Sequence, residues 1–142
     1  SSHMKYMFYR AFLLQSESDS WNVSSVTDMC YMFDMAKSFN QSVGAWNVSA
    51  VTNMREMFVR ASAFNQPLND WNVSNVQNMR EMFCEASSFN QPLNDWNVSN
   101  VQNMYCMFNE AESSISHSTA GTSPMSRIWP ICSAKRPRSD IR

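Results

Sequence analysis

The feature that most constrains this chain is a period of 25 residues, which places Trp21, Trp46, Trp71 and Trp96 in one register. The same step links Val23, Val48, Val73 and Val98, and also Val26, Val51, Val76 and Val101. It links Met29, Met54, Met79 and Met104, the Met-Phe pairs beginning at Met32, Met57, Met82 and Met107, and Ala36, Ala61, Ala86 and Ala111. Phe39, Phe64 and Phe89 follow, and Met7-Phe8, Ala11 and Leu14 fall in register ahead of them as a partial repeat. A unit this short cannot bury Trp, Met and Phe alone. Stacked units can, with identical side chains forming the core as columns.

Within one unit, Val51, Met54, Met57, Phe58, Ala61 and Phe64 are spaced i, i+3, i+4, i+7, which predicts a helix of about three turns. Trp46-Asn47-Val48 alternates apolar and polar and predicts a very short strand, paired in parallel with its equivalents. Phe64-Asn65-Gln66-Pro67-Leu68-Asn69-Asp70 has the Pro and Asn content of a turn. The expected fold is therefore an α/β repeat solenoid, with one very short parallel strand and one short helix per 25-residue coil. Asparagines recur at Asn22, Asn40 and Asn53 and their equivalents, so at least one asparagine ladder is expected to pair the open backbone of successive turns. The organisation reads as a tag remnant at 1–4, a partial repeat at 5–20, four repeats at 21–114 with the last incomplete, and a basic tail or C-terminal cap at 115–142.

The string from Phe64 to Met79 returns almost letter for letter from Phe89 to Met104. It resembles the BspA-type surface-protein repeat, also called the mycoplasma lipoprotein repeat, a relative of the leucine-rich repeats. The resemblance covers roughly residues 4 to 114 and implies a right-handed, leucine-rich-repeat-like solenoid. It also implies display at the cell surface or secretion, adhesion to a host or matrix component, and no catalytic residues.

Composition narrows the function. With Gly 2 and His 2 in the whole chain, no glycine loop can cradle a phosphate and no two-histidine metal site can form, since His3 belongs to the tag remnant. The cysteines, Cys30, Cys84, Cys106 and Cys132, contain no C-x-x-C pair and read as thiols ahead of the disulfides that their even number also allows; a Cys84–Cys106 bond between stacked helices would need local distortion. The chain has 12 methionines, and those at the unit period recur on the inward face and read as core filling, not as thioether metal ligands. No catalytic, cofactor or metal residues are expected. Asp70 and Asp95 occupy matching turns and read as turn residues, not as a hydrolytic carboxylate pair. The chain contains no apolar run of the roughly 18 residues a membrane span needs.

Identity relaxes at defined places. After the first Met the units read Cys30-Tyr31, Arg55-Glu56, Arg80-Glu81 and Tyr105-Cys106; after Met-Phe they read Asp34-Met35, Val59-Arg60, Cys84-Glu85 and Asn109-Glu110. On a helix these positions would face solvent. Tyr31, Asp34, Arg55, Glu56, Arg60, Arg80, Glu81, Glu85, Tyr105 and Glu110 are thus the candidate partner-binding residues, with Arg55 and Arg80 also set to pair with Glu56, Glu81 and Glu85. Asn-Val-Ser at 22, 47, 72 and 97 matches an N-glycosylation acceptor but recurs for structural reasons, and Thr27 and Thr52 give way to Gln77 and Gln102, which breaks any regular threonine rank.

Residues 115–142 carry +4 and the remainder −5. Lys135-Arg136-Pro137-Arg138 has no interleaved aromatics, so a solvated tail is expected in place of a nucleic-acid contact, while Trp129 and Ile131 offer a cap for the last coil. The function expected is a non-enzymatic repeat scaffold that binds a protein. Its alternative is a structural spacer that self-associates into homo-oligomers through the solenoid ends.

Overall fold

The computed structural model describes residues 4–7 and 21–111. These form a stack of coils that advance by one 25-residue unit: coil 1 (4–7), coil 2 (21–45), coil 3 (46–70), coil 4 (71–95) and coil 5 (96–111). The columns read from the sequence form the core. Phe33, Phe58, Phe83 and Phe108 stack with ring centroids 5.3 to 5.5 Å apart, and Trp21, Trp46, Trp71 and Trp96 stack at 6.3 to 6.5 Å. Phe39, Phe64 and Phe89 make a third aromatic column, each ring 4.2 Å from the Phe of the first column in its own coil. The methionines at 29, 32, 54, 57, 79 and 82 are fully buried among them.

The expected helix is absent. Among the described residues there is no helix, and the parallel pairing reduces to isolated bridges linking Asp28, Asn53, Asn78 and Asn103, not the Trp46-Asn47-Val48 segment. The α/β solenoid with a helix in each coil is therefore corrected to a stack of turn-built coils. In coil 3 the N–H groups of Met57, Val59, Ala61 and Phe64 donate back three residues, to Met54, Glu56, Phe58 and Ala61. Those of Met54, Glu56, Phe58 and Arg60 donate forward instead, to the carbonyls of Asn78, Arg80, Met82 and Cys84 at 2.8 to 2.9 Å. An α-helix needs these same N–H groups for its own i→i−4 bonds. Giving alternate ones to the next coil leaves a chain of tight turns.

The turns demand left-handed backbone at Tyr31, Met35, Glu56, Arg60, Glu81, Glu85, Cys106 and Glu110, all with φ between 51° and 59°. Each is the third residue of a four-residue turn, such as 54–57 or 58–61, where φ must be positive. None is Gly or Asn, which usually fill such places. The spacing misleads because two consecutive four-residue turns bring positions 54, 57, 58 and 61 to one side, the same i, i+3, i+4, i+7 pattern that a helix produces.

The opposite arm of each coil joins its neighbours through side chains. The Asn40 Oδ1 accepts from the Asn65 N–H at 2.9 Å and from the Gln66 side-chain amide at 3.0 Å; Asn65 Oδ1 does the same for Asn90 and Gln91. This is the expected asparagine ladder. The Trp71 indole donates to the Val43 carbonyl at 2.9 Å and the Trp96 indole to that of Leu68 at 2.8 Å, which satisfies buried polar groups between coils. The amides of Asn75 and Asn100 donate to the Ser49 and Ser74 carbonyls. Coil 2 lies tight against coil 3 at Gly44, where a Cβ would stand 2.8 Å from the Pro67 carbonyl oxygen. Asn22, Asn47 and Asn72 fold onto their own Ser two residues on, accepting both its N–H and its hydroxyl, so the Asn-x-Ser motif closes a local turn. Among the described residues, no helix is long and apolar enough to cross a membrane.

Candidate functional site

The turn arm displays its variable residues in two adjoining columns. One holds Lys5, Cys30, Arg55, Arg80 and Tyr105; the other holds Tyr6, Tyr31, Glu56, Glu81 and Cys106. Their backbones are fixed by the forward-directed ladder and by Asp28, Asn53, Asn78 and Asn103, whose Oδ1 atoms each accept an N–H two residues on. The side chains themselves carry none of that scaffold.

Together they make a continuous aromatic and charged stripe along the stack. The Tyr6 and Tyr31 rings stack with centroids 4.8 Å apart, and the Lys5 ammonium sits 5.1 Å from the first and 5.7 Å from the second. The Arg55 guanidinium lies 5.5 Å from the Tyr31 ring, within cation–π range. Its Nε donates to Glu56 Oε1 at 3.0 Å, and the Tyr31 hydroxyl donates to that same oxygen at 3.1 Å. Arg80 repeats the pattern, with its Nε 3.0 Å from Glu81 Oε1 and its guanidinium 5.4 Å from the Tyr105 ring. Burial, then the nearby Glu56 carboxylate, raise the Tyr31 phenol above its ordinary value, so it remains a donor. Tyr6 and Tyr105 are 47% and 43% exposed, which is high for aromatic residues.

Not every residue named from the sequence lies on the stripe. Tyr31, Arg55, Glu56, Arg80, Glu81 and Tyr105 do. Asp34 does not face solvent as a helix would have required: it is 5% exposed, and the Arg60 guanidinium from the following coil approaches its Oδ1 at 3.3 Å. Its equivalents Val59 and Cys84 are buried as well, because the turns carry that position inward. Arg60, Glu85 and Glu110 share a column of their own at the left-handed corner of the second turn. The ion pairs of Arg55 and Arg80 join residues adjacent in sequence, so they decorate each coil without tying coils together. Lys5 and Tyr6 extend the stripe by one coil, and the register of Met7-Phe8 was the signal that could have found them.

The thiols behave differently from one another. Cys30 and Cys84 are free and buried, so Cys84 is not bonded to Cys106, whereas Cys106 is disulfide-bonded, the alternative that the even cysteine count left open. Burial and the neighbouring Asp28 push the Cys30 thiol up to about 12, and burial pushes Cys84 up to about 11. Neither is a nucleophile near neutrality. Among the described residues no group of three or more His, Cys, Asp or Glu side chains is placed to hold a metal ion.

Compared with known families, the chain matches the one described as "Mycoplasma protein of unknown function, DUF285" over residues 2–120. The chain belongs to this family. The match takes in every described coil, so the stack and its stripe lie inside the DUF285 region. No curated protein matches the chain, and no solved structure matches it. The expected basic tail or cap at 115–142 lies outside the described residues, as does most of the partial repeat at 5–20.

Proposed function

We propose that this DUF285 chain is a non-enzymatic repeat scaffold that binds a protein at the cell surface, and that its Tyr/Arg/Glu stripe is the contact face. One observation carries the reading. Side chains vary from coil to coil on a backbone frame that does not depend on them, so the frame holds constant while the contact surface changes. Tyr and Arg, residues enriched among those that anchor protein interfaces, both lie along it, as Tyr6, Tyr31, Arg55, Arg80 and Tyr105. The resemblance of the Phe64–Met79 string to BspA-type surface repeats supports an adhesion role toward host or matrix components, and with it a surface or secreted location.

The test is binding of the purified chain to intact host cells and to purified matrix proteins, beside the variant Tyr31→Ala/Arg55→Ala/Arg80→Ala/Tyr105→Ala. Binding that falls at least about tenfold in the variant supports the proposal. Equal binding by both proteins would move the contact to another face, and no binding by either would remove adhesion.

A further inference from the structure

We propose that Asn22, Asn47, Asn72 and Asn97 are acceptor sites for N-linked oligosaccharide, one on each of coils 2 to 5. The proposal concerns residues outside the stripe and shares with the proposed function only a secreted location.

Each of the four opens an Asn-Val-Ser sequence, and the acceptor pattern asks for a hydroxyl two residues on with any residue but proline between. Presentation decides whether such a sequence can act. The middle residue is pinned in the core, with Val23, Val48 and Val73 only 1 to 2% exposed, while the Asn beside each is exposed. Oδ1 of Asn22, Asn47 and Asn72 accepts the Ser N–H at 3.1 Å and the Ser hydroxyl at 2.6 Å, and Oδ1 of Asn97 accepts the Ser99 N–H at 3.1 Å. Among the described residues nothing bonds the Nδ2 of any of the four, and Nδ2 is the atom that carries the sugar.

A second column of turns shows that the turn itself needs less than these sites supply. Oδ1 of Asp28, Asn53, Asn78 and Asn103 accepts the N–H of Cys30, Arg55, Arg80 and Tyr105 in the same way. There Asp serves as well as Asn, and no third residue is Ser or Thr. At 22, 47, 72 and 97 all four units keep both the amide and the hydroxyl, although the amide nitrogen adds nothing to the turn and the Ser99 hydroxyl makes no bond to Asn97. What the turn does not require, sugar transfer does. The disulfide at Cys106 is an independent sign, since disulfides persist in the oxidising compartments that secreted chains cross. Asn40-Gln41-Ser42 carries the same letters out of register; its equivalents read Asn65-Gln66-Pro67 and Asn90-Gln91-Pro92, and Asn40 Oδ1 serves the ladder, so the proposal does not extend to it.

The donor is an oligosaccharide held on a lipid pyrophosphate. Transfer joins Nδ2 to the anomeric carbon and breaks the bond from that carbon to the pyrophosphate oxygen, which leaves with the electron pair. One Nδ2 proton passes to a base of the transferase. Oδ1 takes no part, so the turn stays closed once the sugar is attached.

The experiment compares the whole chain secreted from a eukaryotic cell with the same chain made in the cytosol. Oligosaccharides are released by peptide N-glycosidase in heavy-oxygen water, which labels every asparagine that carried one, and the labels are mapped by mass spectrometry. Label is expected at Asn22, Asn47, Asn72 and Asn97 of the secreted chain and nowhere in the cytosolic one. Ser24→Ala/Ser49→Ala/Ser74→Ala/Ser99→Ala keeps the oxygen and N–H of every turn and should abolish the label, whereas Thr at the same four positions should retain it, with thermal unfolding showing that each variant folds. A secreted chain without label, label at Asn40 alone, or label that ignores the loss of the hydroxyls would overturn the proposal. The proposed function fails on different evidence: a labelled chain whose stripe variants bind host components unchanged leaves this proposal standing and sinks that one.

Discussion

The two arms of each coil solve the same problem in different ways, and the difference explains where the repeats vary. On the turn arm, coils are joined by backbone N–H groups and carbonyls, as from Met54, Glu56, Phe58 and Arg60 to the coil that follows. On the opposite arm they are joined by the side chains of Asn40, Asn65, Gln66, Trp71 and Trp96. Backbone bonds leave side chains unconstrained, so coil 3 carries Arg55-Glu56 where coil 2 carries Cys30-Tyr31. Side-chain bonds do not, and Asn65-Gln66-Pro67-Leu68-Asn69-Asp70-Trp71 returns unchanged from Asn90 to Trp96. Conserved letters inside one chain therefore mark the arm whose side chains hold the stack, and drifting letters mark the arm free to meet a partner.

The sharpest way to break the contrast is to attack the backbone of the variable arm. Glu56→Pro removes the N–H that reaches the Arg80 carbonyl and cannot adopt the φ of 52° found there. A loss of about 3 kcal/mol or more is expected in urea unfolding, although Glu56 contributes little core of its own. On the side-chain arm, Asn65→Ala removes the acceptor of the Asn90 N–H and leaves the Gln91 amide only its 3.3 Å bond to the backbone carbonyl of residue 65, and about 1 to 2 kcal/mol should be lost. Trp71→Phe keeps an aromatic ring in the column but leaves the Val43 carbonyl without its indole donor, for about 1 to 2 kcal/mol by thermal unfolding. Arg80→Ala, an exposed residue on the backbone-joined arm, should change stability by no more than about 0.5 kcal/mol while weakening partner binding. A loss at Arg80 as large as that at Asn65 would erase the distinction between the arms.

The smallest effect is one of pH. Cys84 sits on the turn arm with its thiol raised from an ordinary 9.0 to about 11, and Cys30 with its own raised to about 12. Folding thus favours the neutral thiols. Their contribution is fully present below pH 9 and is lost as pH rises through the folded values. The unfolding midpoint should not respond to these groups up to pH 9 and should fall above it, and Cys30→Ala/Cys84→Ala should flatten that fall.

The repeat, the core columns and the asparagine ladder were legible in the sequence because all three follow from side-chain identity at a fixed period. The turns were not. A four-residue turn repeated twice has the apolar spacing of a helix, and the left-handed positions carry Tyr, Met, Glu, Arg and Cys in place of the Gly or Asn that announces such backbone. That also decides what was legible of the site. Tyr31, Arg55, Glu56, Arg80, Glu81 and Tyr105 were placed on the outward side because outward positions drift in either geometry. Asp34 was misplaced because only the turn chain brings its column inward.

The forward-directed ladder also gives the molecule an electrical polarity. In the turn arm alternate N–H groups of each coil point toward the C-terminal neighbour, as in the bonds from Met29, Tyr31, Phe33 and Met35 to Asn53, Arg55, Met57 and Val59, and they outnumber those of Thr52, Gln77 and Gln102, which point back to Thr27, Thr52 and Gln77. Peptide dipoles of about 3.5 D each therefore add along the stack axis, in the sense opposite to an α-helix: partial positive charge gathers at the C-terminal end and partial negative charge at the N-terminal end. Among the described residues, Glu110 lies in the last coil and Lys5 in the first, each of the sign that the dipole favours on its side. Two such stacks set side by side have the lower energy when their dipoles run in opposite directions.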